Sequence, residues 1–547
     1  MEYKVYPLSE NAITLEWGNK ISVTIYEQIA NLNRLLNENP FLGFVETVPA
    51  YTTLTIFYEP ELILSIETSS ITFVKSYVEK LLKVKSKEKE FTENYVTIPV
   101  CYDEEFGLDL QFISETSGIS IKEIINLHQQ KDYNIYMTGF LPGFSYMGKV
   151  DDKIAVARKD TPRTSIEEGA VGIAGNQTGI YPIASPGGWQ IIGKTPYRLF
   201  DIQKKKPFLL KTGDTVRFYA ISKDEFYKIK KEKNNVVEKE IDNSDVIVMK
   251  PGVFSTVQDV GRVGFRSFGV PLSGAMDLIS HNLANALLGN KKSSSTIECT
   301  MGGLTVQFFK ETNIAVTGAG VSFLNGECIN MHQAHFVKPN DILEVRFNNQ
   351  GLRTYVAVKG GFDYEVIMNS RSTSPKIAIG RMLKKGMGLQ FEKGNKNQSI
   401  KKLNTIELPL FESHKSIRVI EGQEIDWVKE ESVRQFYSRK FVISNRCDRM
   451  GYHLQGEPLL LKYSTELLST AVTKGTIQLT PSGQMIVLMN DCQTTGGYPR
   501  IGQVAAVDLP FLAQLKPGES IDFKKISFGE AELLYINQQK TIDEYFS

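Results

Sequence analysis

Between residues 138 and 196, glycine and proline interrupt short apolar runs roughly every eight to twelve residues, the turn spacing of β-barrels and sandwiches. Three stretches carry the pattern: Thr138-Gly-Phe-Leu-Pro-Gly-Phe-Ser-Tyr-Met-Gly148, Gly172-Ile-Ala-Gly-Asn-Gln-Thr-Gly-Ile-Tyr-Pro182 and Ser185-Pro-Gly-Gly-Trp-Gln-Ile-Ile-Gly-Lys-Thr-Pro196. In them glycine stands beside Asn, Gln, Thr, Ser and Trp, so the turns are also suited to bringing backbone close to a ligand. They are the expected working surface of the first half.

A single core stops growing near 250–300 residues, so a chain of 547 residues is expected to form several domains. The 63 basic and 62 acidic residues nearly cancel, and no long basic tract stands out, which argues against a nucleic-acid partner. No run approaches the roughly eighteen apolar residues of a membrane helix, and the start lacks a signal-peptide pattern, so no membrane partner is expected. Five scattered cysteines (Cys101, Cys299, Cys328, Cys447, Cys492) then read as reduced thiols, and a cytoplasmic location is expected.

Residues 1–85 mix strand-like runs (12–17, 52–57) with apolar residues at helical spacing (21–37, 71–84), which predicts a small α+β domain. Residues 86–222 predict a β-barrel with one helix near 119–130, begun by Ser120 with Glu123 placed for a capping box. Residues 223–244 are rich in Lys and Glu and poor in large apolar groups, and predict a charged linker, with a charged helix or strand edge as the alternative. Beyond it, 245–392 and 403–547 predict two further β-rich subdomains split by a polar stretch at 393–402. The first contains one helix, capped by Asp277 and stopped at Gly289.

Several motifs resolve into plain structure. Gly188-Trp-Gln-Ile-Ile-Gly-Lys-Thr195 matches a phosphate loop in form, but such a loop must open a helix, and its Trp-Gln-Ile-Ile interior is strand-like. Lys194 and Arg198 stay open to an anionic substrate or nucleotide by another geometry. Val248-Met-Lys-Pro251 lacks the second Met of a biotinylation turn and is expected to be structural. His332 and His335, with Cys328 nearby, lack a third converging ligand, so no metal site is expected there.

The remaining polar groups define two candidate sets. In the first half, Asn176 and Gln177 are the catalytic candidates, because amides can hold a carbonyl or carboxylate and stabilise developing negative charge. Phe144, Ser145, Arg163, Thr178, Ser185, Gly187, Gly188, Trp189 and Lys194 are the candidate substrate-binding residues around them. That these residues only shape barrel turns remains the competing reading. In the second half, Asp448, Arg449, Gln493 and Arg500 are the catalytic candidates. Asp259, Arg262, Ser273, Asp277, Thr494, Thr495, Gly496, Gly497 and Tyr498 are the binding candidates. Carboxylates and arginines are what binding Mg²⁺ and phosphate, or polarising an amide, requires. For Asp259 and Arg262 a structural turn bridge competes. The stretch 493–500 is too polar for a core and ranks first.

The first-half motifs resemble the allophanate-hydrolase subunit 1/Kip family, which is associated with the B component of 5-oxoprolinase. Pro251-Gly-Val-Phe-Ser-Thr-Val-Gln-Asp-Val-Gly-Arg262, Gly269-Val-Pro-Leu-Ser-Gly-Ala-Met-Asp277, Asp448-Arg-Met-Gly-Tyr452 and Gln493-Thr-Thr-Gly-Gly-Tyr-Pro-Arg500 are similar to the family of the C component. The resemblance is collinear over nearly the whole chain and implies a natural B–C fusion. Two departures are Cys447, where the family often has Ser, and Ile166-Glu-Glu-Gly169, which adds two charges beside the expected pocket.

The resemblance implies a mainly β fold with α+β portions: tandem cyclophilin-like β-barrels preceded by a small α+β N-terminal domain. It also implies ATP-dependent opening of the lactam of 5-oxoproline to glutamate, with ATP and Mg²⁺ as cofactors. The partner it implies is the separate 5-oxoprolinase A subunit. Two other readings stand beside this one. The chain could be the carboxyltransferase component of a biotin-dependent urea or amide carboxylase, with biotin carried on a separate protein. It could also be a Kip-type histidine-kinase regulator, although fusing two antagonists would lock them together at high effective concentration. The general base, the ATP site and any homo-oligomer are left open by the residues.

Overall fold

The computed structural model describes residues 2–64, 69–83, 94–232, 244–392, 416–463 and 467–547. Its N-terminal part is a four-stranded antiparallel sheet in the order Lys4–Ser9, Ala12–Glu16, Thr53–Tyr58, Phe44–Pro49. The helices Val23–Glu38 and Ser70–Lys83, at the positions the apolar spacing predicts, cover one face with Leu32, Leu36, Val74 and Val78 against Ile13, Leu54 and Ile56. Phe57, pointing the other way, packs with Leu8, Val48 and Ala471 of the second half. This explains why Thr53–Tyr58 is buried throughout: both of its faces are covered.

The first barrel has seven strands, running in space from Gln190–Lys194 through Ala170–Ala174, Gln177–Ile180, Ser145–Gly148, Asp132–Thr138 and Thr215–Ala220 to Tyr95–Val100. Its two ends join where Cys101 and Lys194 exchange backbone hydrogen bonds of 2.8 and 3.0 Å, which removes the open edges. Ile98, Ile135, Met147, Ile173, Ile192 and Val216 fill the interior. Ser120 accepts a hydrogen bond from the Glu123 amide at the start of the helix Ile121–Gln129. The phosphate-loop lookalike is the buried strand Gln190–Lys194. Within the expected linker, Lys223–Glu232 is helical, and 233–243 lie outside the described residues, as does the polar stretch 393–402.

In the second half, residues 244–392 form two facing sheets of seven and five strands. Val246, Val306, Leu343 and Val345 from one pack against Val257, Ile297, Val316 and Val356 from the other. The helix Leu278–Leu287 is capped by Asp277, which accepts from the Ser280 amide at 3.0 Å. The final sheet has eight strands, whose outer members Ser520–Ile521 and Phe523–Lys525 are neighbours in sequence, so the chain itself closes this second barrel. Val248-Met-Lys-Pro251 lies in the strand Val246–Pro251. Among the described residues no helix is long and apolar enough to cross a membrane.

Candidate functional site

The two halves meet through the glycine-rich turns. The Gly143 amide donates to the Phe268 carbonyl at 2.8 Å, and the Thr138 hydroxyl donates to the Ser267 carbonyl. Gly139 lies so close to Thr495, and Gly269 to the Leu141 carbonyl, that a Cβ on either glycine would collide. From the N-terminal domain, Glu46 accepts from the Arg266 amide at 3.0 Å and from its guanidinium at 2.5 Å, while Arg266 stacks 4.3 Å from the centre of the Phe57 ring. Thr53 and Thr470 hydroxyls are 3.0 Å apart. Residues Thr470–Ala471 pair with Thr495–Gly496 in a short ribbon that Thr53, Phe57 and Gly139 touch.

At one end of that ribbon is a cleft lined by Arg266, Thr473, Lys474, Asn490, Gln493 and Thr494. Burial, reinforced by Arg266, lowers the Lys474 amine to about 8, against the opposing pull of Cys492 and Glu10. Among the described residues this amine has no hydrogen bond or ion pair. Burial pushes the Cys492 thiol up to about 12, so it stays protonated. It also raises the Glu10 carboxyl to about 7. The hydroxyls of Ser273, Thr494 and Thr495 and the Gln478 amide nitrogen are buried without a protein partner. The Gln493 side-chain amide donates to the Gln478 side-chain amide oxygen at 3.2 Å. An unpaired amine, an arginine and several spare donors can hold a small anion or the negative charge that develops on an attacked amide oxygen. With its lowered pKa the amine can also exchange a proton near neutral pH.

The sequence-derived candidates fall into groups. Gln493 and Thr494 line the cleft, Thr495 and Gly496 lie in the ribbon, the Ser273 amide donates to the carbonyl of the cleft residue Asn490 at 2.9 Å, and Tyr498 stands at the surface, 43% exposed. Gly497 packs against the Leu467 carbonyl. Arg500 is committed elsewhere, doubly bonded to Glu424 and to the Tyr6 hydroxyl. Arg449 is buried between Asp491 and Glu298, and neighbouring Asp448 is exposed and pairs with Lys376. Asp259 accepts from Gly261, Ser370, Arg371 and Ser372, and Arg262 donates to the carbonyls of Ile367 and Ser372. Both residues thus tie down the loop 367–372. Asp277 caps its helix and accepts from Gln514.

In the first half, Asn176 occupies the two-residue turn Gly175-Asn176 between paired Ala174 and Gln177. Gln177 pairs with Gly148, and Ile180 with Ser145, so the strand length separates Asn176 and Gln177 from the seam by about 10 Å. Thr178 is locked inside the barrel, bonded to His128 and to the Gly172 carbonyl. Phe144 and Trp189 pack edge to face at 5.3 Å, and the Ser145 hydroxyl donates to the Gly143 carbonyl at 3.3 Å. Arg163 and Lys159 pair with Asp109, and the Ser185 hydroxyl is buried without a partner. Gly187 packs under the Tyr181 hydroxyl, and Gly188 faces Lys159 and Pro162. Lys194 pairs with Glu167 and Arg198 with Glu168, so the two charges that depart from the family pattern neutralise these two cations.

Arg266, Lys474 and Asn490 are absent from the sequence-derived set. Lys474 carried a signal, as the only charged residue between Leu467 and Ile486. Arg266 lies between two quoted motifs, and its role follows only from Glu46.

The family model described as carboxyltransferase domain, subdomains C and D, matches residues 3–210, and that for subdomains A and B matches 268–525. The first half is 40% identical to the 5-oxoprolinase B subunit of Bacillus subtilis over 242 residues, 43% of this chain and 99% of that one. The second is 35% identical to the 5-oxoprolinase C subunit of Haemophilus influenzae over 293 residues, 53% of this chain and 94% of that one. The solved structure of TTHA0988 is 30% identical, with a TM-score of 0.81 over 94% of this chain and 100% of that one. The Kluyveromyces lactis urea carboxylase is 26% identical, with a TM-score of 0.51 over 72% of this chain and 37% of that one. The chain therefore belongs to the carboxyltransferase-domain family, joining a half of the 5-oxoprolinase B type to a half of the C type in one polypeptide.

Proposed function

We propose that this chain is the fused B and C component of an ATP-dependent 5-oxoprolinase that works with a separate A subunit. The observation that carries the reading is the unpaired Lys474 amine in a cleft built at the junction of the B-type and C-type halves. A lactam is a resonance-stabilised amide and a poor electrophile. Transfer of a phosphoryl group from ATP to its oxygen makes that oxygen a leaving group, and hydrolysis to glutamate becomes favourable. Lys474, Arg266 and the spare hydroxyls would meet the negative charge this step brings into the cleft. Among the described residues, no three His, Cys, Asp or Glu side chains gather to hold a metal, so Mg²⁺ would arrive on the nucleotide phosphates.

The test is glutamate and ADP production by the chain with its cognate A subunit, with and without 5-oxoproline. Substrate-dependent formation of both is expected, with at least a hundredfold loss in K474M. No turnover from a folded complex would sink the reading. The carboxyltransferase description and the likeness to urea carboxylase favour a second reading, transfer of CO₂ from carboxybiotin to a small amide. Carboxylation of urea by the chain with free carboxybiotin and no ATP would select it.

A further inference from the structure

Nothing among the described residues holds the Lys474 amine at its own end, so its place in the cleft is set by the backbone that carries it. A lysine amine on its flexible four-carbon stem sweeps a wide arc, and a fixed root narrows that arc. The root is the tight turn Thr473-Lys474-Gly475-Thr476, which runs from the short ribbon into the strand Thr476–Leu479. The Thr476 amide donates to the Thr473 carbonyl at 3.1 Å, and the Thr473 amide donates to the Thr476 hydroxyl at 3.1 Å. Between them Gly475 takes a φ of +87°, its amide donating to the Leu488 carbonyl at 2.7 Å and its carbonyl accepting from the Val504 amide at 2.8 Å.

One buried side chain from the neighbouring strand Arg500–Val504 grips this turn on both sides. The Gln503 side-chain amide donates to the Lys474 carbonyl at 2.8 Å, and its amide oxygen accepts from the Thr476 hydroxyl at 2.9 Å. The Thr476 hydroxyl thus accepts from Thr473 and donates to Gln503, which closes a ring of hydrogen bonds around Lys474. A Cβ on Gly475 would stand 2.6 Å from the Gln503 amide nitrogen, so glycine is what admits the grip. Backbone pairing of Gln503 with Thr476 and Ile420 already joins the sheet without these side-chain bonds. The first half fixes this stretch on either side of Gln503: the Tyr6 hydroxyl accepts from Arg500 at 3.0 Å, and Glu10 accepts from the Ala506 amide at 2.7 Å.

We propose that Gln503, together with the Thr476 hydroxyl, is a positioning residue that holds the Lys474 amine at its place in the cleft. Gln503 acts through the turn and not on a substrate. Because Tyr6 and Glu10 grip the same stretch, the B-type half sets where an amine of the C-type half stands. The inference deepens the proposed function, since it takes Lys474 as the working group of the cleft.

The test is competitive labelling of the full chain with trace acetic anhydride across neutral and alkaline pH, read at Lys474 by peptide mass spectrometry. It needs neither ATP, 5-oxoproline nor the A subunit. Only the neutral amine reacts, so the wild-type midpoint is expected at about 8. Q503M keeps the length of the side chain without its hydrogen bonds, and T476V keeps the shape without the hydroxyl. Both are expected to raise the midpoint by about one pH unit or more toward the ordinary lysine value, as the amine leaves its buried place. T476S keeps the hydroxyl and is expected to retain the wild-type midpoint. Arg266, Cys492 and Glu10, the charged and titratable groups around the amine, are present in every variant, so a shift reports position. Melting temperature identifies the folded variants, and T476V against T476S gives the answer if Q503M does not fold. Folded Q503M and T476V that melt lower but keep the wild-type midpoint overturn the proposal, as does a Lys474 that stays unlabelled in every variant. Unmoved midpoints leave the 5-oxoprolinase reading standing, and moved midpoints without turnover from the assembled complex sink that reading alone.

Discussion

The amine of Lys474 is positively charged only below about pH 8, because burial and Arg266 disfavour the charge that an exposed lysine keeps to about 10.5. Anion affinity at the cleft is therefore expected to be flat below pH 8 and to fall as pH rises through it. K474R should carry the plateau past pH 9. Glu10, at about 7, titrates nearby, so E10Q must be profiled alongside; Cys492, at about 12, is silent over this range. A profile unmoved by K474R would show that another group carries the charge. The same burial predicts a stability cost. The native amine binds its proton less tightly than the unfolded chain does, so stability should rise between about pH 8 and 10.5. K474M, which removes that proton, should melt above wild type while losing function. Arg449 shows the opposite case, since its two carboxylate partners are buried with it. R449M should cost about 3–5 kcal/mol in denaturant unfolding by leaving Glu298 and Asp491 uncompensated. Composition hinted at Lys474, a lone charge in a buried run. It could not show that Arg449 and Arg500 are held by carboxylates distant in the chain, so polar residues in one motif read alike although one lines a cleft and another braces a fold.

Turn chemistry made the elements legible. The glycine and proline spacing of 138–196 marks real strand ends, and Ser120 and Asp277 cap the helices they precede, because these are local requirements. Closure was not legible. The pairing of Cys101 with Lys194 joins residues far apart in the chain, and the helix Lys223–Glu232 continues where composition predicts a linker. Gly269 belongs to this scale because its φ of +77° and its contact with Leu141 join one half's turn to the other's. Gly264, at φ +93°, faces open space. Both alanine variants bear the cost of a left-handed backbone, about 1 kcal/mol, but only G269A also pushes on the Leu141 carbonyl. G269A is expected to melt several degrees lower than G264A and to expose the 138–145 turn to faster amide exchange. Equal behaviour of the two would mean that the turn contact does not hold the seam.

At the scale of the whole molecule, the B and C subunits among the relatives each match one half of this chain, whereas TTHA0988 matches both, and the seam shows how two halves make one site. The N-terminal sheet supplies Glu46 to Arg266 and Glu10 to the Ala506 amide, and its Tyr6 hydroxyl accepts from Arg500. The first barrel adds the Gly143–Phe268 and Thr138–Ser267 bonds. These groups are buried, and separating the halves would leave Arg266 and Glu46 unpaired at new surfaces. The chains 1–232 and 244–547, expressed together, are therefore expected to elute as a 1:1 complex. In the fused chain the connecting segment holds the halves at an effective concentration on the order of millimolar, which masks weakening of the seam. E46Q should then leave the fused protein assembled and weaken the split complex at least tenfold, because the buried Arg266 loses its countercharge. Sedimentation of the split pair, with and without E46Q, measures both. If the two chains stay apart while each remains folded, the seam does not bind by itself, and the fusion, rather than complementarity, assembles the Lys474 cleft.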